Sequence, residues 1–173
     1  MTARPQDDTT PEAKLDITVR RAVGDGRTLL SAFDHALLQA GVGNFNLITL
    51  SSVIPPHSTV TVLGDDVPAV PGGHGDRLYC VEAVAYADHP GEIVTAGLGW
   101  VIHPTIGGLF VEHTGGSPES VEEQIHLSLA DMAEQRGVDF GPVSTAVASA
   151  HCVDRPVCAL AIAAYAVADW RLP

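Results

Sequence analysis

Three positions close together in this 173-residue chain carry side chains that call for a chemical explanation. Ser51-Ser52 stand between an apolar run, Phe45 to Leu50, and the stiff flank Val53-Ile54-Pro55-Pro56. A serine hydroxyl held against the carbonyl that precedes it can attack that carbonyl and exchange the amide for an ester, which is nucleophilic catalysis directed at the backbone. Stiff residues on either side would help to hold the strained approach. The plainer reading is a pair of turn-forming residues at a strand end. Asn46 lies one residue into the same apolar run, where asparagine is a poor strand former. Pointing inward it needs partners; at an edge or bulge it does not. Asp34 has Leu30, Leu37 and Leu38 as helical neighbours three and four places away. A carboxylate on such a face requires a cation or hydrogen-bond donors, unless it sits at the solvated edge of the stripe.

Other chemistries find less support. The eight histidines include no pair at four-residue spacing and no acidic partner that completes a metal motif, so no metal site is expected; His113, next to Glu112, is the one to watch. A Gly-x-Ser-x-Gly nucleophile elbow is absent. Gly41-Val42-Gly43-Asn44 lacks the third glycine and the following helix of a phosphate-binding loop. The formal net charge of -12 would repel nucleic acid and anionic membranes and favour cationic ligands, or simply keep the chain soluble. Cys80, Cys152 and Cys158 are odd in number and lack two-residue spacing, which suits buried free thiols and a reducing cytoplasm. Met1 to Asp16 has no apolar core of signal-peptide length. The longest apolar stretch, Val157 to Ala168, is too short for a membrane-spanning helix.

The elements that must position these residues can be placed along the chain. Residues 1–14 read as a loose tail and 15–173 as a single domain. An extended segment begins at Asp16 and ends in the turn Gly24-Asp25-Gly26. Thr28 caps a helix running to about Ala40, stopped by Gly41 and Gly43. Phe45 to Leu50 is the next strand, and residues 57–77 a weak strand followed by a long loop. Leu78 to Ala87, Ile93 to His103 and Leu109 to Glu112 read as strands. Ser117-Pro118 opens a second helix, with Val121, Ile125, Leu129 and Met132 at helical spacing until Gly137. Val143 to Cys152 and Val157 to Val167 suit two buried strands, although the alanine-rich second run also permits a helix. Two helices among seven or so strands predict an α+β fold, a sandwich of β-sheets flanked by helices.

The run Phe33-Asp34, Ala40-Gly41-Val42-Gly43-Asn44, Asn46-Leu47 and Ser51-Ser52-Val53-Ile54-Pro55-Pro56 resembles the self-processing region of the pyruvoyl-dependent arginine decarboxylases. Pro90-Gly91-Glu92 and Gly108-Leu109-Phe110-Val111-Glu112 follow in the family's order. The resemblance spans about residues 15–168 and is dense over 29–56. It implies that Ser52 attacks the Ser51 carbonyl, that elimination and hydrolysis leave a covalently bound pyruvoyl group at position 52, and that Ser51 ends a β chain while the α chain begins at 52. It implies an amino-acid decarboxylase, acting on arginine to give agmatine and carbon dioxide, with the pyruvoyl group as electron sink. Glu112 would donate the proton that replaces the carboxylate, Asn46 would bind or orient at the site, and Asp34 would pair with the guanidinium. Gly43 would admit the ligand close to the backbone. A homo-oligomer, a trimer of αβ units with sites between protomers, is implied as well. Two departures point to alternatives: His35, where a small residue is expected, and the segment Val70 to Arg77. They leave open the same chemistry on a different amino acid, or a non-catalytic assembly partner of the same fold.

Overall fold

The computed structural model describes residues 14–64, 66 and 68–171. The tail expected over residues 1–14 lies, except for Lys14, outside them. In chain order the elements are β1 (Asp16–Asp25), α1 (Leu29–Gln39), β2 (Asn46–Thr49), β3 (Val53–Ile54), β4 (Thr59–Val62), β5 (Arg77–Ala87), β6 (Ile93–His103), β7 (Gly107–Gly115), α2 (Pro118–Arg136), β8 (Ser144–His151) and β9 (Val157–Ala168).

Both helices start and stop where local chemistry directs. The Thr28 side chain accepts from the Ser31 N–H, and the Ser31 hydroxyl accepts from the Thr28 N–H, so two orphan donors are satisfied. Ser117 caps α2 with Pro118 behind it, and Gly137 ends the helix in the left-handed conformation at φ 62°.

The strands form two sheets, in the orders β2-β5-β9-β1-β4 and β3-β7-β6-β8. β9 is central in the larger sheet, antiparallel to β1 on one side and β5 on the other. Its odd residues, Val157, Ala159, Ala161, Ala163 and Tyr165, pack between the sheets with Ile17, Leu98, Trp100 and Phe110. Its even residues, Cys158, Leu160, Ile162 and Ala164, pack under α1 with Ala32, Ala36 and Leu37. Burial on both faces explains why this run shows no alternation of polar and apolar residues. Pairing on both edges makes it a strand, and the helix that its alanines also permitted does not form. On the far side, Val121, Ile125 and Leu129 of α2 cover Val101, Leu109 and Val111 of the smaller sheet. The result is the expected α+β sandwich in four layers: α1, five strands, four strands, α2.

Most strand ends fall within a single residue of the sequence reading, and two elements differ by more. β7 continues at both ends beyond Leu109–Glu112, because Gly107, Gly108 and Gly115 extend the ladder with β6 without contributing an apolar signal. Val53-Ile54, read only as extended, pairs with Leu109 and Gly108 as an edge strand.

Close approach of α1 to β1 requires glycine at position 24. A Cβ there would lie 2.2 Å from the Ala32 carbonyl oxygen and 2.3 Å from the Ala36 nitrogen. Gly24→Ala is therefore expected to cost about 1–3 kcal/mol of stability through overpacking. Denaturant melts of the two proteins test this, and an unchanged midpoint would mean that α1 does not rest on this point.

The three cysteines are free and buried. Burial first, and the Glu82 charge second, push the Cys80 and Cys158 thiols up to about 12, which keeps both unreactive. Among the described residues no helix is long and apolar enough to cross a membrane.

Candidate active site

The chain changes sheet at Ser51-Ser52. The Leu50 N–H still donates to the Cys80 carbonyl of the larger sheet at 2.8 Å, whereas the Ser52 carbonyl already accepts from the Phe110 N–H of the smaller one at 2.8 Å. The reversal is absorbed at Ser52, whose φ is 69°. A non-glycine residue in this region carries strain of order 1–3 kcal/mol and persists only where its surroundings hold it. Ser52 is held by the ladder on both sides and by its own side chain, whose Oγ donates to Glu112 Oε1.

Glu112 reaches that hydroxyl because of strand alternation on β7. Phe110 and Glu112 face the gap between the sheets, while Val111 and His113 face α2. His113, adjacent in sequence, thus points away, with Nε2 2.9 Å from Ser128 Oγ. Glu112 is half-buried beside the mouth of the core.

Tyr165 is a neighbour that the sequence reading missed. It projects from β9, across the gap, and its hydroxyl donates to the Val53 carbonyl at 3.3 Å. Its ring lies 6.1 Å from that of Phe110. Burial, and then the Glu112 charge, push its phenol well above the ordinary value. The only signal for it in the sequence is a hydroxyl set in an alanine-rich apolar run.

The remaining candidates stand on other parts of the chain. Asn46 opens β2, an edge strand of the larger sheet. It is exposed, which fits the edge reading, yet its side chain is fixed: Nδ2 donates to the Gly75 carbonyl at 2.6 Å, and its N–H donates to the Asp76 carbonyl at 2.8 Å. Gly43 lies against Leu38, where a Cβ would come within 2.6 Å of Leu38 Cδ2. It lines a cleft with Leu38, Asn44, Phe45 and Gly72. Asp34 stands on the exposed side of α1, between Leu30 and Leu38, which are 76% and 54% exposed. Its carboxylate makes no hydrogen bond or ion pair with any described residue. Within one chain, then, Ser52 and Glu112 are joined directly, while Asp34 sits on the outer layer.

His35 turns from Asp34 toward the end of β1, where its Nδ1 lies 3.0 Å from Asp25 Oδ1. Arg155 takes the other oxygen of the same carboxylate at 3.0 Å. At the exposed β5–β6 turn, Asp88, His89 and Glu92 gather their ligand atoms within 4.8 Å of one another, a grouping made by a turn and not by helical spacing.

A family model described as pyruvoyl-dependent arginine decarboxylase matches residues 16–170. The chain is 38% identical over 143 residues to a Thermococcus kodakarensis protein named pyruvoyl-dependent arginine decarboxylase, covering 82% of this chain and 88% of that one. A protein of the same name from Thermococcus sibiricus is 37% identical over 143 residues, 81% and 87% of the two chains. Another from Methanocaldococcus jannaschii is 34% identical over 156 residues, 87% and 90% of the two chains.

Proposed function

Because the chain belongs to the pyruvoyl-dependent arginine decarboxylase family, we propose that it cuts itself between Ser51 and Ser52, carries the pyruvoyl group at position 52, and converts arginine to agmatine and carbon dioxide. The observation that carries this reading is the contact of Ser52 Oγ with the Glu112 carboxylate, at a left-handed residue where the chain crosses between sheets. Glu112 can take the hydroxyl proton as Oγ bonds to the Ser51 carbonyl carbon. The Ser51–Ser52 C–N bond then breaks, leaving an ester and a free amine at residue 52. Loss of the Cα proton of residue 52 together with the Ser51 carboxylate gives dehydroalanine, and hydrolysis with release of ammonia completes maturation. The β chain ends at Ser51, and the α chain begins with residue 52, within one domain of residues 15–173.

The residues present fit such a group. The position-52 carbonyl is held by the Phe110 N–H, and the next carbonyl by the Tyr165 hydroxyl, so the new chain end remains anchored after cleavage. A pyruvoyl group at this position supplies the electron sink for carbon dioxide loss. Glu112 faces residue 52 and is the acid that returns a proton to the substrate carbon. Asn46, with its amide group fixed by Gly75, orients the substrate, and Gly43 lines the cleft that admits it.

Asp34 reads the side chain, and it does so from a neighbouring copy. Its carboxylate, unpaired among the described residues, the exposed leucines on either side of it, and Val53, 58% exposed next to Ser52, support a homo-oligomer in which α1 of one protomer covers the Ser52 region of the next. We read that assembly as a trimer of αβ units. Denaturing mass spectrometry should find two chains, the larger with a blocked N-terminus, and arginine should yield agmatine; one intact chain with no carbon dioxide release would reject the reading.

A carboxylate that grips guanidinium through two hydrogen bonds discriminates against lysine, whose ammonium cannot form the planar fork. Asp34→Asn is expected to cost about 2–5 kcal/mol of arginine binding, as for one broken partner of a desolvated charge pair. Uncharged amino acids should be affected far less. The measurement is kcat/KM for arginine over a neutral amino acid, in wild type and variant. An unchanged ratio would remove Asp34 from specificity.

A further inference from the structure

The segment that departs from the family pattern, Val70 to Arg77, carries the carbonyl that fixes Asn46. Gly75 stands there at φ 86°. Its N–H donates to the Asn44 carbonyl at 2.7 Å, and its carbonyl accepts twice, from Asn46 Nδ2 at 2.6 Å and from Trp170 Nε1 at 2.7 Å. A carbonyl has two lone pairs, so both donors can be served at once, and each fixes the direction left to the other.

Trp170 lies beyond the last strand and is held there by Arg77. The Arg77 guanidinium stacks on the indole at 4.7 Å from the ring centroid, and its Nη2 donates to the Asp169 carbonyl. Arg77 is also the cross-strand partner of Asn46 in the β2–β5 ladder. Arg77 thus touches the indole through space and Asn46 through the sheet, which closes a ring of four residues: Asn46, Gly75, Trp170 and Arg77. The indole is 60% exposed and packs into no core cluster. Burial therefore does not account for its position, whereas the two polar contacts and the stacked cation do.

We propose that Trp170 is a positioning residue for Asn46: the C-terminal indole, acting through the shared Gly75 carbonyl, holds the Asn46 amide in the orientation used at the site. This rests on the reading that Asn46 acts on residue 52 or on the substrate. With one N–H of its NH2 group committed to Gly75, the amide keeps its oxygen and its second N–H for the ligand.

Trp170→Phe keeps an aromatic face for Arg77 and removes the N–H together with the second ring of the indole. Asn46→Ala, and the double variant, complete a cycle. The time course of self-cleavage is followed by intact mass, and kcat and KM are then measured on fully processed protein. Trp170→Phe should slow cleavage or lower kcat about 5-fold, the worth of one ordinary hydrogen bond, with KM for arginine within a factor of two. In the Asn46→Ala background it should have no further effect, since coupled residues are non-additive. Wild-type behaviour of Trp170→Phe beside an impaired Asn46→Ala overturns the Trp170 proposal alone. Effects that multiply in the double variant overturn it as well, because the indole would then act elsewhere. A wild-type Asn46→Ala overturns the reading of Asn46 itself, and the Trp170 proposal with it.

Discussion

Ser52→Ala is expected to give one intact chain with no decarboxylase activity. The attacking oxygen is gone, and no other hydroxyl takes its place: the Ser52 Oγ is the group bonded to Glu112, while Ser51 contributes the carbonyl that is attacked. Ser51→Ala should therefore still cleave. Ser52→Cys retains a nucleophile and should cleave too. Alanine tolerates the left-handed φ of 69° about as poorly as serine, so the backbone change is small, and the variant should have a wild-type circular dichroism spectrum. Intact mass reports the outcome directly. A Ser52→Ala protein that still separates into two chains at this bond would show that Ser52 is not the nucleophile. A protein that stays whole yet releases carbon dioxide from arginine would show that position 52 is not the seat of the chemistry.

Much of this could be read in the sequence because the signals are local. Thr28, Ser117 and Gly137 end helices by bonding their own neighbours, and the Ser51-Ser52 flank is contiguous. Long-range pairing was less accessible. Glu112 lies sixty residues from Ser52, and nothing in its own run of residues points to a serine; the family order supplied the pairing. Tyr165 was invisible because a tyrosine in an apolar strand is usually a core residue, and only the packing of two sheets brings its hydroxyl to Val53. The sequence left Asn46 open between an inward position and an edge; it lies on an edge strand, and its fixation depends on Gly75 and Trp170, which are distant in sequence. The strand order escaped for the same reason. β9 enters between β1 and β5, and its uniform apolarity, which left helix and strand both open, follows from layers on either side that no local pattern encodes.

Glu112→Gln separates the two duties assigned to this residue. Glutamine preserves size and can still accept from the Ser52 hydroxyl, so the precursor should fold with the same contact. It cannot take up that proton or give one back. Turnover of processed protein is expected to fall by about 10²-fold or more, the usual scale for loss of a general acid. Maturation should slow as well, since the hydroxyl loses its proton acceptor. Intact mass must therefore establish the processed fraction before any rate is compared, and kcat is expressed per processed chain. KM for arginine should change little, because Asp34, not Glu112, is the group assigned to hold the ligand's side chain. A loss confined to KM would make Glu112 a binding residue. Near-normal turnover in fully processed protein would remove it from the reaction, and Tyr165, whose hydroxyl sits on the Val53 carbonyl, would become the next group to test by substitution.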